Sequence, residues 1–294
     1  MPVSKDLRII GLQYVSLADW SFEASLKKQS LTILPMPDRV SSATHQGPRP
    51  YQEDRLVTRS VRTGALSGTL LAVADGHGGD ETSSYVAGEL SGGLFDRLLE
   101  ATKSPSEALN RMFQFLIRAT LEQNKKTGAH FESGTTLSVV FIPEELEKAY
   151  IGIIGDSPVI LAKRDGSVHI SPEHNARSNE EERKAAEERG GLFIDGYIHN
   201  KSKDFGLQMT RDIGFYAMGE VLGRIPETYE LAIGTGDAII VGSDGLLDPA
   251  HQDMIIEAEE LAELVLAGAD AHELVEDALH RETLDNVTAI VFRC

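Results

Sequence analysis

Residues Leu70–Gly79 read LLAVADGHGG. An apolar run from Leu70 to Ala74 stops at Asp75, and then come Gly76, His77, Gly78 and Gly79. A short apolar run bounded by turn residues reads as a strand buried on both faces. Asp-Gly is first of all a turn signal, so turn chemistry is the reading that any chemical role must displace. The chain holds four Asp-Gly pairs, at Asp75, Asp165, Asp195 and Asp244, and they are not alike. Asp165 lies in the hairpin Arg164-Asp165-Gly166 among charged residues, where a turn explains it fully. Asp75 and Asp244 each end a long apolar strand, LLAVAD and AIIVGSD.

Outward from this strand, residues 55–61 and 67–74 read as a strand pair around Thr63-Gly64. Residues 80–100 read as one helix. A second helix starts at Ser104, with Pro105 at its first position and Glu107 completing a capping box, and runs to about Lys125. Strand character follows at Ser138–Ile142, 149–154, 159–162 and 168–170. A charged helix over 179–189, with Ser178 and Glu181 as its box, precedes two strands within 229–243. Two helices over about 251–267 and 270–281 follow, the latter boxed by Asp270 and Glu273, and Val287–Phe292 is the last strand. Closely spaced strands with short turns favour antiparallel sheets, and helices in sequential pairs can cover sheet faces. The expected class is therefore a layered α+β sandwich. Residues 1–40 fit this scheme least well.

The chain has 294 residues, 41% of them hydrophobic, which is ample for a folded core. Lys plus Arg total 28 against 46 Asp plus Glu, a net charge of −18. That balance argues against nucleic acid or an anionic membrane as partner. It also makes an anionic substrate awkward unless metal ions or a local arginine invert the field. The one cysteine, Cys294, excludes an intrachain disulfide. The first residues lack a secretory apolar stretch, and no run approaches the roughly 18 apolar residues of a membrane span. A cytoplasmic protein is the expectation.

Acidic residues recur where strands begin or end. Glu53 and Asp54 follow Arg49 in RPYQED, Asp156 follows IIG, and Asp285 opens DNVTAIVF. With Asp75 and Asp244, side chains of separate strands can converge on one sheet end. Oxygen-only ligands suit Mg²⁺ or Mn²⁺ rather than zinc, and no His-x-x-x-His or Cys-x-x-Cys pair competes. The plain alternatives stay open. Arg49 could pair with Glu53 on the surface, His77 could be a passive turn residue, and Asp156 could be a hairpin residue.

The ordered set RPYQED, ADGHGG, SGTTLSVVFI, IGDSPVIL, SPEHN, ERGG, LQMTRDIG, GSDGLLD and DNVTAIVF resembles the metal-dependent protein phosphatases of the 2C type, over residues 49–292. The resemblance implies a four-layer α-β-β-α sandwich of two antiparallel sheets flanked by helical pairs. It implies a catalytic domain over 26–294, with 1–25 an N-terminal extension of unknown role. It also implies hydrolysis of phosphoserine and phosphothreonine in proteins by a metal-bridging water, with two Mg²⁺ or Mn²⁺ ions and a third, weaker one. Carried over by position, Asp75 resembles the ligand shared by both ions, and Asp244 and Asp285 resemble the other protein ligands of one. The Gly76 carbonyl and Glu53, largely through water, resemble those of the other. Asp54 resembles a carboxylate just behind them. Arg49 resembles the phosphate-binding arginine and His77 the proposed general acid. Asp156, with Asp244, resembles the third-ion site. The implied partner is a phosphorylated protein, met by a monomer acting in signalling.

The chain departs from the pattern at Pro158 for a basic residue, Phe215 for Asp after Thr210-Arg211-Asp212-Ile213-Gly214, Gln52 for Met, and Glu173 for Asp. None removes a metal ligand. Residues 192–206 lie where the family carries a variable flap. Ser133–Thr136 are expected to be structural, His174 to be structural or at the substrate rim, and Glu180–Arg189 to be a solvated helix face. Two other functions compete: a catalytically silent relative that binds a phosphoprotein, and a phosphatase of small phosphorylated metabolites.

Overall fold

A computed structural model describes residues 39–64, 66–127, 133–247 and 254–294. The chain divides into two units, Met1–Thr32 and Ile33–Cys294. Only the second is described, so the expected boundary between residues 25 and 26 lies outside the described residues.

Strand β3 (Ser67–Ala74) shows how alternation builds the layers. Leu70, Ala72 and Ala74 belong to one apolar core and Leu71 and Val73 to another. A strand with period-two side chains can do this only between two covered faces. Its sheet also holds β2 (Arg55–Arg62), β6 (Leu137–Pro143), β7 (Lys148–Ile154) and β14 (Glu227–Ala232), in the order β14-β7-β6-β3-β2, all antiparallel. The outer face packs on three helices, α1 (Glu81–Ser91), α2 (Leu94–Thr102) and α3 (Pro105–Thr127).

The second sheet runs β1-β16-β15-β8-β9, with β1 Val40–His45, β8 Val159–Ala162, β9 Val168–Ile170, β15 Ala238–Gly242 and β16 Val287–Arg293. Ala238 and Ile240 of β15 face helices α5 (Met254–Ala267) and α6 (Ala271–His280), whereas Ile239 and Val241 join Leu71 and Val73 between the sheets. The described fold is thus the expected four-layer α-β-β-α sandwich. Truncating an inter-sheet residue such as Leu71, which is fully buried, to Ala would cost about 2–5 kcal/mol.

Three local expectations need correction. The helix expected over 80–100 is two helices, because Gly92 closes α1 and Gly93, at φ 81°, starts α2. The cap of α4 (Glu180–Glu188) is Asn179 rather than Ser178; its side chain accepts from the Glu181 and Glu182 backbones. The Ser104 cap is one-sided: Glu107 N–H donates to Ser104 Oγ at 3.4 Å, but the Glu107 carboxylate turns to Arg111. The box of Asp270 and Glu273 forms in both directions. The expected start of α5 at 251 lies outside the described residues.

Two small sheets stand apart. One joins β4 (Gly76–His77), β5 (Gly134–Thr135) and β13 (Ile213–Gly214); the other joins β10 (Leu192–Ile194), β11 (Tyr197–His199) and β12 (Gly206–Leu207). The latter spans the stretch expected as a flap. Ile198 of β11 shares a small core with Ala186 of α4, Phe215 and Leu222. Among the described residues, no helix is long and apolar enough to cross a membrane.

Candidate metal and phosphate site

The alternation that aims Leu71 and Val73 between the sheets continues, one residue past β3, to Asp75. On β16 the same logic places Thr288 on the face of Ile290 and Phe292, and there its Oγ1 donates to Asp54 Oδ2 at 2.7 Å. Ser243, just beyond β15, bonds Asp54 as well and accepts from the Thr288 backbone at 2.9 Å. The two sheets therefore meet at this end through hydroxyls and carboxylates instead of apolar side chains.

The carboxylates gather here. Asp54 and Asp75 lie within hydrogen-bonding reach of each other. Burial, followed by the charges of Asp54, Asp244, Asp285 and Asp156, holds the Asp75 carboxyl well above the usual range. Burial and then Asp244 push Asp156 the same way, with Glu173 adding to it. Asp54 is pushed up to about 6, mainly by burial and against its hydroxyl partners. Asp285 is pushed up to about 7 by burial and Asp244, while Arg49 opposes the shift. Desolvation and like charge both favour the protonated carboxyl, so each shift reports crowding.

The Asp75 backbone is anchored by the Ser133-Gly134-Thr135-Thr136 stretch. Thr136 Oγ1 accepts from Asp75 N–H at 3.2 Å, and Thr135 Oγ1 donates to the Asp75 carbonyl at 3.0 Å. These hydroxyls are structural, as expected. Gly76 is required by packing: a Cβ there would lie 2.6 Å from the Glu53 carbonyl oxygen and 2.8 Å from Ser83 Oγ. Glu53 Oε1 accepts from Gly79 N–H at 2.6 Å.

Arg49 pairs with Asp285, not with Glu53. Its Nη2 lies 2.5 Å from Asp285 Oδ2 and its Nε donates to the Leu284 carbonyl at 2.9 Å, with half of its side chain exposed. Burial, then Arg224, lowers His77 to about 4. Its Nε2 is 3.1 Å from Asp212 Oδ2, and its Nδ1 is buried without a hydrogen-bond partner.

The donors fit a hard cation. Asp54 Oδ1 and Asp156 Oδ1 are buried without a hydrogen-bond partner, and orphaned buried carboxylate oxygens call for a compensating charge. Among the described residues, no three acidic, His or Cys side chains are grouped closely enough to hold a metal ion as they stand.

The sequence profile of the family Protein phosphatase 2C matches residues 40–287, most of the chain. The chain belongs to the Protein phosphatase 2C family. Probable protein phosphatase 2C 55 of rice (Oryza sativa subsp. japonica) is 28% identical over 258 residues, covering 85% of this chain and 64% of that one. Probable protein phosphatase 2C 11 of Arabidopsis thaliana is 27% identical, with coverage of 84% and 64%. The chain thus spans just under two thirds of these relatives' length. In structure it is similar to the serine-threonine phosphatase 2C of Toxoplasma gondii (TM-score 0.65, 17% identity, 90% of this chain and 98% of that one). It is also similar to the catalytic domain of the phosphatase PstP in complex with two manganese ions (TM-score 0.58, 23% identity, 87% and 97%). These last two likenesses concern the fold.

Within this 2C-type fold, sequence reasoning passed over several residues. Asn286 ties the loop of Glu53 to that of Asp285. Its Oδ1 accepts from Glu53 N–H at 2.9 Å, and its Nδ2 donates to the Gln46 and Tyr51 carbonyls at 2.7 and 2.9 Å. The only signal was its place in DNVT. Glu182 corrects the solvated-face expectation for 180–189: it is buried, accepts from Thr210 Oγ1 at 2.7 Å and pairs with Arg211. His174 is structural, accepting from Gly155 N–H through Nδ1 at 3.0 Å. Asp212 and Arg224 carried no sequence signal for a role beside His77.

Proposed function

We propose that this chain is a divalent-cation-dependent phosphatase acting on phosphoserine and phosphothreonine in proteins. The observation that carries the reading is the gathering of carboxylates at one end of the sandwich, where burial and like charge hold the Asp75 and Asp156 carboxyls well above their usual range. Oxygen-only donors suit Mg²⁺ or Mn²⁺. In this reading Asp75 is shared by two ions, Asp244 and Asp285 complete one, and the Gly76 carbonyl and Glu53 serve the other. Asp54 stands behind Asp75, and Asp156 with Asp244 holds a third, weaker ion. Family membership supports this, as do the two manganese ions of the PstP structure. When bound, the ions supply positive charge for the transferring phosphoryl group and an activated water.

The chain's own residues position the reaction. Phosphoryl transfer asks mainly for in-line placement and charge neutralisation, so no covalent nucleophile is needed. Arg49, at the exposed rim, can offer its planar fork to two phosphate oxygens once it leaves Asp285. His77, anchored through Nε2, takes a proton from water at Nδ1 and gives it to the leaving oxygen, returning to the neutral Nε2–H form. A monomer at work in cytoplasmic signalling belongs to the same proposal.

The test is phosphate release from a phosphopeptide library, compared with sugar phosphates, in Mn²⁺ and in chelator. Release from phosphopeptides with Mn²⁺ alone is expected. Full turnover in excess chelator would end the cation reading; preference for sugar phosphates would move the substrate class; no release from either would favour a silent binding relative. Arg49→Ala is expected to raise KM while keeping cation-induced stabilisation, and Arg49→Lys to recover only part of the loss.

A further inference from the structure

We propose that Asp212, backed by Arg224, is the positioning residue that fixes the orientation and tautomer of His77. The inference rests on the phosphatase reading only for its kinetic arm. Asp212 exposes none of its side chain. A buried carboxylate is costly unless both oxygens find partners, and here they find different ones. Oδ2 meets His77 Nε2 at 3.1 Å, and Oδ1 is paired with Arg224. Arg224 Nη1 also donates to the Asp212 carbonyl at 3.0 Å, so it grips both ends of the residue.

Arg224 is itself held. Its guanidinium lies 4.9 Å from the centre of the Tyr216 ring, and Tyr216 Oη donates to the Ile117 carbonyl on α3 at 3.0 Å. The imidazole is thus linked through three side chains to the helix layer. The packing around the His77–Asp212 bond admits nothing more. A Cβ on Gly134 would fall 2.4 Å from His77 Nε2, 2.5 Å from Asp212 Oδ2 and 2.8 Å from Phe215 Cβ. Phe215, which stands where the family pattern has Asp, meets the imidazole edge-on at 5.2 Å.

Because Asp212 accepts, the shared proton lies on Nε2, and Nδ1 is the nitrogen left over; to serve the leaving oxygen it takes a proton from water, forming an imidazolium that the Asp212 carboxylate supports, and passes that proton on. Nδ1 is buried and has no hydrogen-bond partner. A purely structural histidine has every reason to satisfy its second nitrogen. A working one keeps it open, and the carboxylate partner decides which nitrogen that is.

The experiment uses the full chain. Long-range ¹⁵N–¹H spectra of the imidazoles, read in chelator, are expected to show His77 as the Nε2–H tautomer in the wild type. Asp212→Ala is expected to lose that preference, and Asp212→Asn, whose amide oxygen must face the donor-only Arg224 so that its NH2 faces Nε2, to reverse it to the Nδ1–H tautomer. With Mn²⁺, Asp212→Ala should lower kcat on a phosphoserine peptide by roughly 10–100-fold, the range for partners of this kind, with KM little changed. The loss should be much smaller on p-nitrophenyl phosphate, whose leaving group needs no proton. Asp212→Ala added to His77→Ala should cost nothing further. If Asp212→Ala fails to fold because Arg224 is left buried and unpaired, Asp212→Leu with Arg224→Met removes both charges at once and takes its place. An unchanged tautomer in the folded variant, or losses that multiply with those of His77→Ala, would overturn the proposal. If His77→Ala itself shows no leaving-group dependence, the proton role of His77 fails, and the tautomer alone judges Asp212.

Discussion

Asp96 and Asp75 are acidic groups of one half of the sandwich with opposite fates. Asp96, on α2, is buried against Arg59 of β2, and the guanidinium meets both of its oxygens. Asp75, at the end of the neighbouring strand β3, instead feels Asp54, Asp244, Asp285 and Asp156. The arginine paired into that group, Arg49, is half exposed and engages Asp285 alone. The fold can match a buried charge, and at Asp96 it does. Where it gathers five carboxylates it makes no such match, and burial and like charge raise the carboxyls of Asp75, Asp156 and Asp285 instead.

The sharpest way to break this comparison is Asp75→Asn. It is expected to abolish turnover and most cation-induced stabilisation while leaving the fold intact. In chelator the same variant should melt higher than the wild type, because it removes the most crowded charge. The pH dependence follows from the raised carboxyls. Asp285, at about 7, and Asp54, at about 6, hold protons in the folded state that the unfolded chain has released above about 3.8. Cation-free wild type therefore gains stability from these groups as pH falls through 7 to 6. The advantage of Asp75→Asn should be largest above pH 7 and shrink on acidification. A variant that melts lower than wild type in chelator would return ADGHGG to plain turn chemistry.

Asp96→Ala tests the other arm. It leaves Arg59, only partly exposed, without its ion-pair partner, so a loss of about 2–4 kcal/mol in denaturant unfolding is expected, with cation affinity unchanged. Replacing both partners by apolar residues should restore most of it. If Asp96→Ala is nearly neutral, the pair is not the balanced charge that the comparison requires.

Cation addition comes next in size. A ligand that binds only the folded chain adds about 2.7 kcal/mol at a hundred times its dissociation constant. The melting temperature of the wild type should climb with Mn²⁺ concentration, that of Asp96→Ala in parallel, and that of Asp75→Asn hardly at all. A flat wild-type response would show that the gathered carboxylates serve no cation.

Legibility in the sequence followed the same divide. The unbroken apolar runs LLAVA and AIIVG announced strands covered on both faces, and acidic strand ends announced convergence, because both are local patterns. What escaped was set by tertiary contact. The break at Gly92-Gly93 hid inside a continuous helical pattern. Glu182 read as one more solvated acid until Thr210 and Arg211 arrived from 28 and 29 residues away. Asp212 stands 135 residues from His77, and no spacing rule joins them. The edge strand β1 was missed because its partner β16 is the last strand in the chain.

The smallest expected effect makes the finest test. Asp165 and Asp75 share a dipeptide, yet their carboxyls move in opposite directions. Asp165 is exposed, and Ser167, bonding through hydroxyl and backbone, holds its carboxyl below the usual range. Asp75 is raised by burial and like charge. A lowered carboxyl contributes stability above its unfolded pKa and loses it as pH falls, the reverse of the cation-free site. Asp165→Ala should therefore leave turnover and the Mn²⁺ response untouched and lower the melting temperature by no more than about two degrees near neutrality. That difference should fade below about pH 4, where the wild-type carboxyl also becomes neutral. Should Asp165→Ala impair turnover as Asp75→Asn does, an Asp-Gly corner would matter as a corner wherever it stands. If turnover holds, what separates Asp75 from Asp165 is the company of other carboxylates, and that company is the site.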